Sequence, residues 1–253
     1  MKVKVISTGS HGNQYILEDE TGSCLMIECG VEYKKLVLSP LWCGIDKVDG
    51  LLVSHQHKDH ALELPHFRSM LGDDKVVYGA EPDLKVKYNL GNWIVKPHGV
   101  PHYAIRCHGF EIYNIPEDKT FAFFTDCTAQ PVLVGIDYWL YEVNFDEDTA
   151  KLALDLVGEE LKVDTLTDEQ KAEIERLQKK ENHVWFNIRS HNSLENAEKY
   201  LQAVTKAMGR KIDNMITIHK SLQYLNENKV KTVLGNYVHN LIIGDDNMEV
   251  EYE

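Results

Sequence analysis

The chain has 253 residues, 43% of them hydrophobic and 26% charged, with a formal net charge of −13. That length supports a substantial core, in one large domain or two small ones. The acidic balance excludes a protein that grips long nucleic acid through its whole surface, so a nucleotide substrate needs a local positive centre such as bound divalent cations.

No apolar run reaches the roughly 18–20 residues that a membrane span requires. The opening MKVKVISTGS lacks the apolar core of a signal peptide. The expected location is therefore the cytoplasm, with no membrane partner. Five cysteines, Cys24, Cys29, Cys43, Cys107 and Cys127, are odd in number and lack the CxxC spacing of a structural zinc site. They read as reduced, buried thiols.

The first third of the chain reads as β-rich, and further strands follow it. KVKVIS alternates apolar and polar residues, and TGSHGN behind it is a turn cluster with glycines free to take positive φ. QYILED and SCLMIEC predict the next two strands, joined by a turn at Thr21-Gly22. VDGLLVS predicts a buried strand; KVVYGA, NWIVK, FEIYNI and TFAFFTD predict four more. Residues 146–180 are charged and helical in pattern, and TDEQKAEIERLQKK opens on a Thr167-x-x-Gln170 capping box. SLENAEKYLQAVTKAMG predicts a helix capped by Ser193, with Leu194, Ala197, Leu201 and Val204 as its apolar stripe and Gly209 as its end. NMITIHKS predicts one more strand ending on a polar cluster. No repeat, linker or low-complexity segment divides the chain. A single domain over 1–253 with a helical insertion at about 146–182 is expected.

The chemistry concentrates in SHQHKDH, residues 54–60, directly behind the apolar run Leu51-Leu52-Val53. His55 and His57 are two apart, so on an extended segment they point the same way. Asp59 and His60 fall in the following loop and can turn toward an adjacent position. Two metal ions about 3.5–4 Å apart are a recurrent hydrolytic arrangement, and this spacing can serve one.

The motif, following LMIECG and an apolar strand, resembles the signature of the metallo-β-lactamase-fold hydrolases. That resemblance implies an α/β (α+β) class, a four-layer αββα sandwich with two metals at one edge and further ligands at downstream strand ends. His98, His102 and His108 are candidates for the third histidine, and VPHYAIRCHGFEI favours His102. FAFFTDCT ends a buried strand on Asp126, a costly place for a carboxylate unless it is paired or on a metal. Asp126 resembles the family's bridging aspartate, although Thr-Asp-Cys stands where Gly-Asp-Thr is usual. MITIHKS places His219 like the family's last ligand. The implied site has His55, His57, His102 and Asp126 on one metal, and Asp59, His60, Asp126 and His219 on the other. No sulfur takes part. Imidazole and carboxylate ligation suits Zn²⁺ first, with Mn²⁺ or iron also compatible.

Two further segments are similar to the YycJ/WalJ-like and ribonuclease Z-like phosphodiesterase and nuclease branch. YWLYEVNFDED resembles the Glu-x-Asn-x-Asp stretch of YycJ/WalJ-like proteins, which makes Glu142 a residue supporting the ligands. SHNSLENAEKYL resembles the His-x-Ser segment that opens a helix, in which the histidine, here His191, is catalytic and not a ligand. STGSHGNQYIL resembles the Gly-Ser-Ser-Gly-Asn start of the YycJ/WalJ group. Glu28 stands where an Asp usually orients the first ligands, and Phe145 where that group has a His.

The resemblance implies a dinuclear metal-dependent phosphodiesterase, foremost a nuclease cutting DNA or RNA with a metal-bridging hydroxide. Asp59 would orient or deprotonate the water and His191 would assist the leaving group. Hydrolysis of a cyclic nucleotide is the alternative, favoured by the −13 charge; ester, lactone or thioester hydrolysis can use the same metals. The expected partner is a nucleic acid or nucleotide at the metal site, and a homodimer is compatible with the sequence.

Overall fold

Successive side chains of an extended strand point to opposite faces, so a strand that is apolar throughout needs a partner layer on each side. A computed structural model, describing residues 1–102, 105–160, 184 and 188–252, shows how the chain meets that demand. One sheet consists of β1 (Lys2–Ser7), β2 (Gln14–Glu18), β3 (Cys24–Ile27), β4 (Val48–Val53), β5 (Val76–Tyr78) and β13 (Met248–Glu251), in the order β13-β1-β2-β3-β4-β5. The other consists of β6 (Tyr88–Leu90), β7 (Trp93–His102), β8 (Ile105–Asn114), β9 (Lys119–Phe124), β10 (Tyr138–Glu142), β11 (Ile212–Ile218) and β12 (Val238–Ile243), in the order β12-β11-β10-β9-β8-β7-β6.

Between the sheets, Val3, Val5, Leu17, Leu25, Ile27 and Leu52 pack against Phe110, Ile112, Phe121, Phe123, Leu140 and Ile216. The alternate residues face outward. Ile16, Met26, Leu51 and Val53 are covered by Leu36 of α1 (Tyr33–Leu38) and by Leu64 and Phe67 of α3 (Leu64–Leu71). Ala122, Phe124, Trp139, Tyr141 and Met215 are covered by α5 (Leu194–Met208) and by Val230 and Leu234 of α6 (Glu227–Leu234). The layers run helix, sheet, sheet, helix, as expected. Full burial of each such side chain stabilises the fold by about 1.5–3 kcal/mol.

The helix α5 matches its expectation closely. Ser193 Oγ accepts from the Asn196 amide at 3.1 Å, Leu194, Ala197, Leu201 and Val204 are buried, and Gly209 ends the helix at φ 69°. NWIVK proves to be part of a ten-residue strand: β7 pairs with β8 along its whole length, with His102 opposite Ile105 at the far end. Strands β6, β10, β12 and β13 and helices α1, α3, α6 and the short α2 (Lys58–Ala61) were not anticipated. The charged stretch after residue 146 does start as a helix, α4 (Glu147–Glu160). The Thr167–Gln170 capping box and the rest of 161–183 lie outside the described residues. All five cysteines are free thiols, four of them buried. No described helix is long and apolar enough to cross a membrane.

The topology gathers strand ends. Strands β9, β10, β11 and β12 run parallel, with Phe124 beside Tyr141 and Glu142 beside Ile218, so their carboxyl ends share one edge. In the other sheet β3, β4 and β5 are also parallel, with Ile27 beside Leu52 and Val53 beside Tyr78. Residues that follow these ends turn sharply. Glu28, Asp126 and His219 have φ of 62°, 48° and 53°, left-handed conformations that cost a non-glycine residue about 1–3 kcal/mol.

Between Gly30 and the Asp59 loop the backbones pack closely. A Cβ on Gly30 would lie 1.7 Å from the Asp59 carbonyl oxygen, and the same oxygen accepts from the Asn13 amide at 2.7 Å. Gly30→Ala therefore has to push the Asp59 loop away. Thermal melts should show a loss of roughly 5–10 °C, the scale of overpacking by 1–3 kcal/mol, together with weaker metal binding. An unchanged melting temperature and metal content would show that this loop yields freely.

Candidate metal centre

Four of the expected ligands follow β4 in its loop and α2, one ends β7, and two follow β9 and β11. The structure brings all seven together. His55 Nε2 lies 2.9 Å from His57 Nδ1, and His102 Nε2 lies 3.2 Å from the same atom. Asp126 Oδ2 is 3.4 Å from His55 Nε2 and 3.7 Å from His102 Nε2. These four lone-pair atoms converge on one point, and all lie within 4.8 Å of one another.

A second convergence adjoins it. Asp59 Oδ2 lies 3.4 Å from His60 Nε2 and 3.4 Å from His219 Nε2. Asp126 Oδ2 is also 3.4 Å from His60 Nε2, so a single carboxylate oxygen faces both groups. The donor sets are three imidazoles with a shared carboxylate, and two imidazoles with two carboxylates. Both fit a divalent ion of zinc type and neither contains sulfur. His98 and His108 are engaged elsewhere, with Glu111 Oε2 at 3.1 Å and the Gly79 carbonyl at 2.7 Å.

Three of the converging imidazoles are fixed by their other nitrogen, which selects the ligating atom. His55 Nδ1 bonds Ser54 Oγ at 2.8 Å. His102 Nδ1 donates to the Ser190 carbonyl at 3.0 Å. His219 Nδ1 lies 3.1 Å from Glu142 Oε1 and 3.2 Å from Asp126 Oδ1. His60 Nδ1 lies 3.4 Å from Glu28 Oε1, but without the alignment of a hydrogen bond. The Glu28 carboxylate also accepts from the Ser54 amide at 3.2 Å, so it ties the His55 strand end to His60.

His191 adjoins both donor sets: with Glu142 it joins Asp126 and His219 in a third group whose ligand atoms lie within 4.8 Å of one another, its Nδ1 3.4 Å from Asp126 Oδ1. Its Nδ1 donates to Glu142 Oε1 at 2.7 Å, and its ring stacks on His219 with centroids 4.9 Å apart. Glu142 itself is buried, and its second oxygen accepts from the Cys127 and Asn192 amides, each at 3.3 Å. Glu142 thus holds His191 and His219 at once.

Burial opposes charge on every member of this cluster, and the neighbours decide the outcome. Burial and the His60 charge push the His55 imidazole down; His57 and His102 are pushed down mainly by burial. For His191, the Asp126 and Glu142 carboxylates outweigh burial and push it up to about 10. For His219, Asp126, Asp59 and Glu142 push it up to about 9. His60 is raised well above its usual value against burial by Asp126 and Glu28. Asp126 and Asp59 are held well below the carboxylate range despite burial, Asp126 chiefly by His219 and His60, Asp59 by its bonds to His219 and His60.

Several residues that organise the centre were not singled out from sequence. Asn13 Nδ2 contacts the Gly9 carbonyl at 3.1 Å, the Asp59 carbonyl at 3.3 Å and His60 Nε2 at 3.2 Å. Its Oδ1 accepts from the Gly9 amide and from Tyr15 Oη. Asn144 Nδ2 donates to the His219 carbonyl at 2.7 Å. The signal for Asn13 was a carboxamide closing the TGSHGN turn cluster; Asn144 sat inside the Glu-x-Asn motif.

Comparison with known proteins bears on the family and the fold. The model of the metallo-beta-lactamase superfamily matches residues 7–140. The anti-Pycsar protein Apyc1 of Paenibacillus harenae is 32% identical over 72 residues, which is 26% of this chain and only 30% of that relative. Among solved structures, the metallo-beta-lactamase fold protein YhfI from Bacillus subtilis superposes with a TM-score of 0.63 at 15% identity, covering 99% of this chain and 98% of that one. A diphosphatase from the PhnP family superposes with a TM-score of 0.58 at 13% identity, covering 100% and 98%. At these identities the structural likeness establishes the fold alone.

Two measurements test the centre. Asp126→Ala should lower metal content at both positions together, because one carboxylate oxygen faces both donor sets; normal metal content would mean that Asp126 is misassigned. The second follows from the raised imidazoles of the metal-free chain. Their folded values of about 9 and 10 exceed an unfolded value of 6.5. Their stabilisation is fully present below pH 6.5 and is lost as pH rises toward 10. The chelator-treated protein should therefore lose melting temperature over that window, and more steeply than the metal-loaded protein, whose histidine ligands are already neutral. Parallel pH profiles for the two forms would contradict the coupling.

Proposed function

Because the chain belongs to the metallo-beta-lactamase superfamily and is a metal-dependent hydrolase by that membership, we propose that it is a dinuclear phosphodiesterase acting on a nucleotide. The carrying observation is the His191–Glu142 pair at 2.7 Å, buried beside the two donor sets. His55, His57, His102 and Asp126 would hold one ion, and Asp59, His60, Asp126 and His219 the other. When bound, two divalent ions supply Lewis acidity, a water of lowered pKa and charge neutralisation at phosphorus.

The chain's own residues handle the protons. In hydrolysis of a phosphodiester, water oxygen bonds to phosphorus, the P–O ester bond breaks, and the leaving oxygen takes a proton. In the metal-free chain Asp126 and Glu142 push His191 up to about 10; in the loaded enzyme the Glu142 bond would still orient the ring, and His191 would supply that proton. Glu142 keeps the ring in place with one oxygen while backbone amides hold the other. Asp59, the most solvent-facing carboxylate of the donor sets at 25% side-chain exposure, orients the water and accepts a proton from it. Asp126 fixes the spacing of the two donor sets.

The −13 net charge favours a small nucleotide, such as a cyclic mononucleotide, over a long polyanion. Cleavage of DNA or RNA uses the same residues and is the second reading, supported by the likeness of the SHNSLENAEKYL and YWLYEVNFDED segments to the nuclease branch. Turnover of cyclic mononucleotides, single- and double-stranded DNA, and RNA should be compared side by side. Faster hydrolysis of the polymers would reverse this order.

His191→Ala should keep its metals and fold and lose turnover by roughly 10²–10⁴, the range for removal of a general acid or base. A nitrophenyl phosphodiester should suffer less, because its departing oxygen needs little protonation. Loss of metal in that variant would make His191 a ligand. Full activity on every phosphodiester would remove the support for phosphodiester chemistry and favour an ester or thioester.

A further inference from the structure

A cavity of about 770 Å³ opens beside the metal centre, and Asp59 belongs to both. That volume lies in the range of sites for small molecules and cofactors, about 300–1,000 Å³. Its walls come from segments that the chemistry leaves unused: the turn after β1, the loop and helix α1 after β3, Lys58 between two candidate ligands, and the β12–β13 connection.

The lining is mixed in a specific way. Val31, Leu38 and Leu62 offer apolar surface. Ser10, Lys35 and Lys58 offer donors on other parts of the wall. His11 Nε2 and Asp246 Oδ2 are paired at 2.9 Å across two chain segments, and Lys35 lies 3.6 Å from Glu32. Lys58 has no ion-pair partner among the described residues, in a chain whose charge is −13. A planar, weakly polar body with donors and acceptors on its edge suits such walls. An extended polyanion does not, since Glu32, Asp59 and Asp246 line the same space.

We propose that this cavity binds the nucleoside of the substrate while its phosphodiester lies at the metal centre, so that Ser10, Lys35 and Lys58 help set specificity. The proposal rests on the phosphodiesterase reading and names the substrate class for that site: a single nucleotide whose base and sugar enter the cavity beside Asp59. A substrate bound equally well in ground and transition states changes KM, so losses here should appear mainly in KM.

The test pairs two metal-loaded variants with two substrates. Ser10→Trp fills the mouth of the cavity from an exposed turn, and Lys35→Ala removes one charge from an exposed helix. Substrates are 3′,5′-cyclic mononucleotides and methyl 4-nitrophenyl phosphate, which is a phosphodiester with no nucleoside. The ratio of kcat/KM between them should fall about tenfold in Ser10→Trp and about threefold in Lys35→Ala, mostly through KM. Equal losses on both substrates would overturn the assignment. Calorimetry supplies a readout free of turnover: nucleoside 5′-monophosphate binding should weaken about tenfold in Ser10→Trp, while inorganic phosphate binding should not follow it. If neither diester is hydrolysed, the phosphodiesterase reading fails and calorimetry still decides the cavity. Equal binding of the monophosphate by wild type and Ser10→Trp would then remove it.

Discussion

The structure depends on one carboxylate in a place where a carboxylate is costly. Asp126 is 1% exposed, and His55, His60, His102, His191 and His219 all approach it within 4 Å. Glu28 and Glu142 add two more buried acids. Without cations, protons on His60, His191 and His219 offset these charges alongside the hydrogen bonds the acids accept, which accounts for the raised values of all three. Buried charges persist only when paired or on metals. Two divalent ions would match the four carboxylates Asp59, Asp126, Glu28 and Glu142, and His60 and His219 would then act as neutral ligands.

The two-sheet architecture exists at this edge to supply ends of parallel strands. The end of β4 delivers four site residues, and three other ends deliver Glu28, Asp126 and His219 through a left-handed backbone. Strain of that kind survives only where the surroundings over-determine it. Asn13, Gly30 and Asn144 do this by fixing the Asp59 and His219 carbonyls and admitting close backbone approach. The helices of the outer layers hold the sheets; the loops at the edge hold the chemistry.

Much of this was legible in the sequence, for identifiable reasons. His55, His57, Asp59 and His60 lie within six residues, so their spacing alone announces a metal-binding cluster. Asp126 was legible because a charge ending FAFFT demands an explanation. His102 and His219 needed the family resemblance, since a histidine at a strand end has no local signature. The helix α5 carried its cap, stripe and terminating glycine in order, and it formed as expected. Strand β10 was missed as an element because YWLYE shows no alternation: it is buried on both faces. Strands β12 and β13 sit at sheet edges, with exposed positions that blur the apolar pattern. Asn13 closes a recognisable turn cluster, but its bond to the Asp59 carbonyl, 46 residues away, left no local trace.

The division of labour between Asp126 and Glu142 is the centre of this account. Asp126 joins two donor sets through one oxygen, and Glu142 holds the histidine that adjoins them. X-ray absorption at the zinc edge on the fully zinc-loaded protein addresses the first half directly. The account predicts nitrogen and oxygen scatterers at about 2.0–2.2 Å, no sulfur, and a metal–metal vector at about 3.5–4 Å. A sulfur scatterer at about 2.3 Å, or full loading without a metal–metal vector, would contradict it.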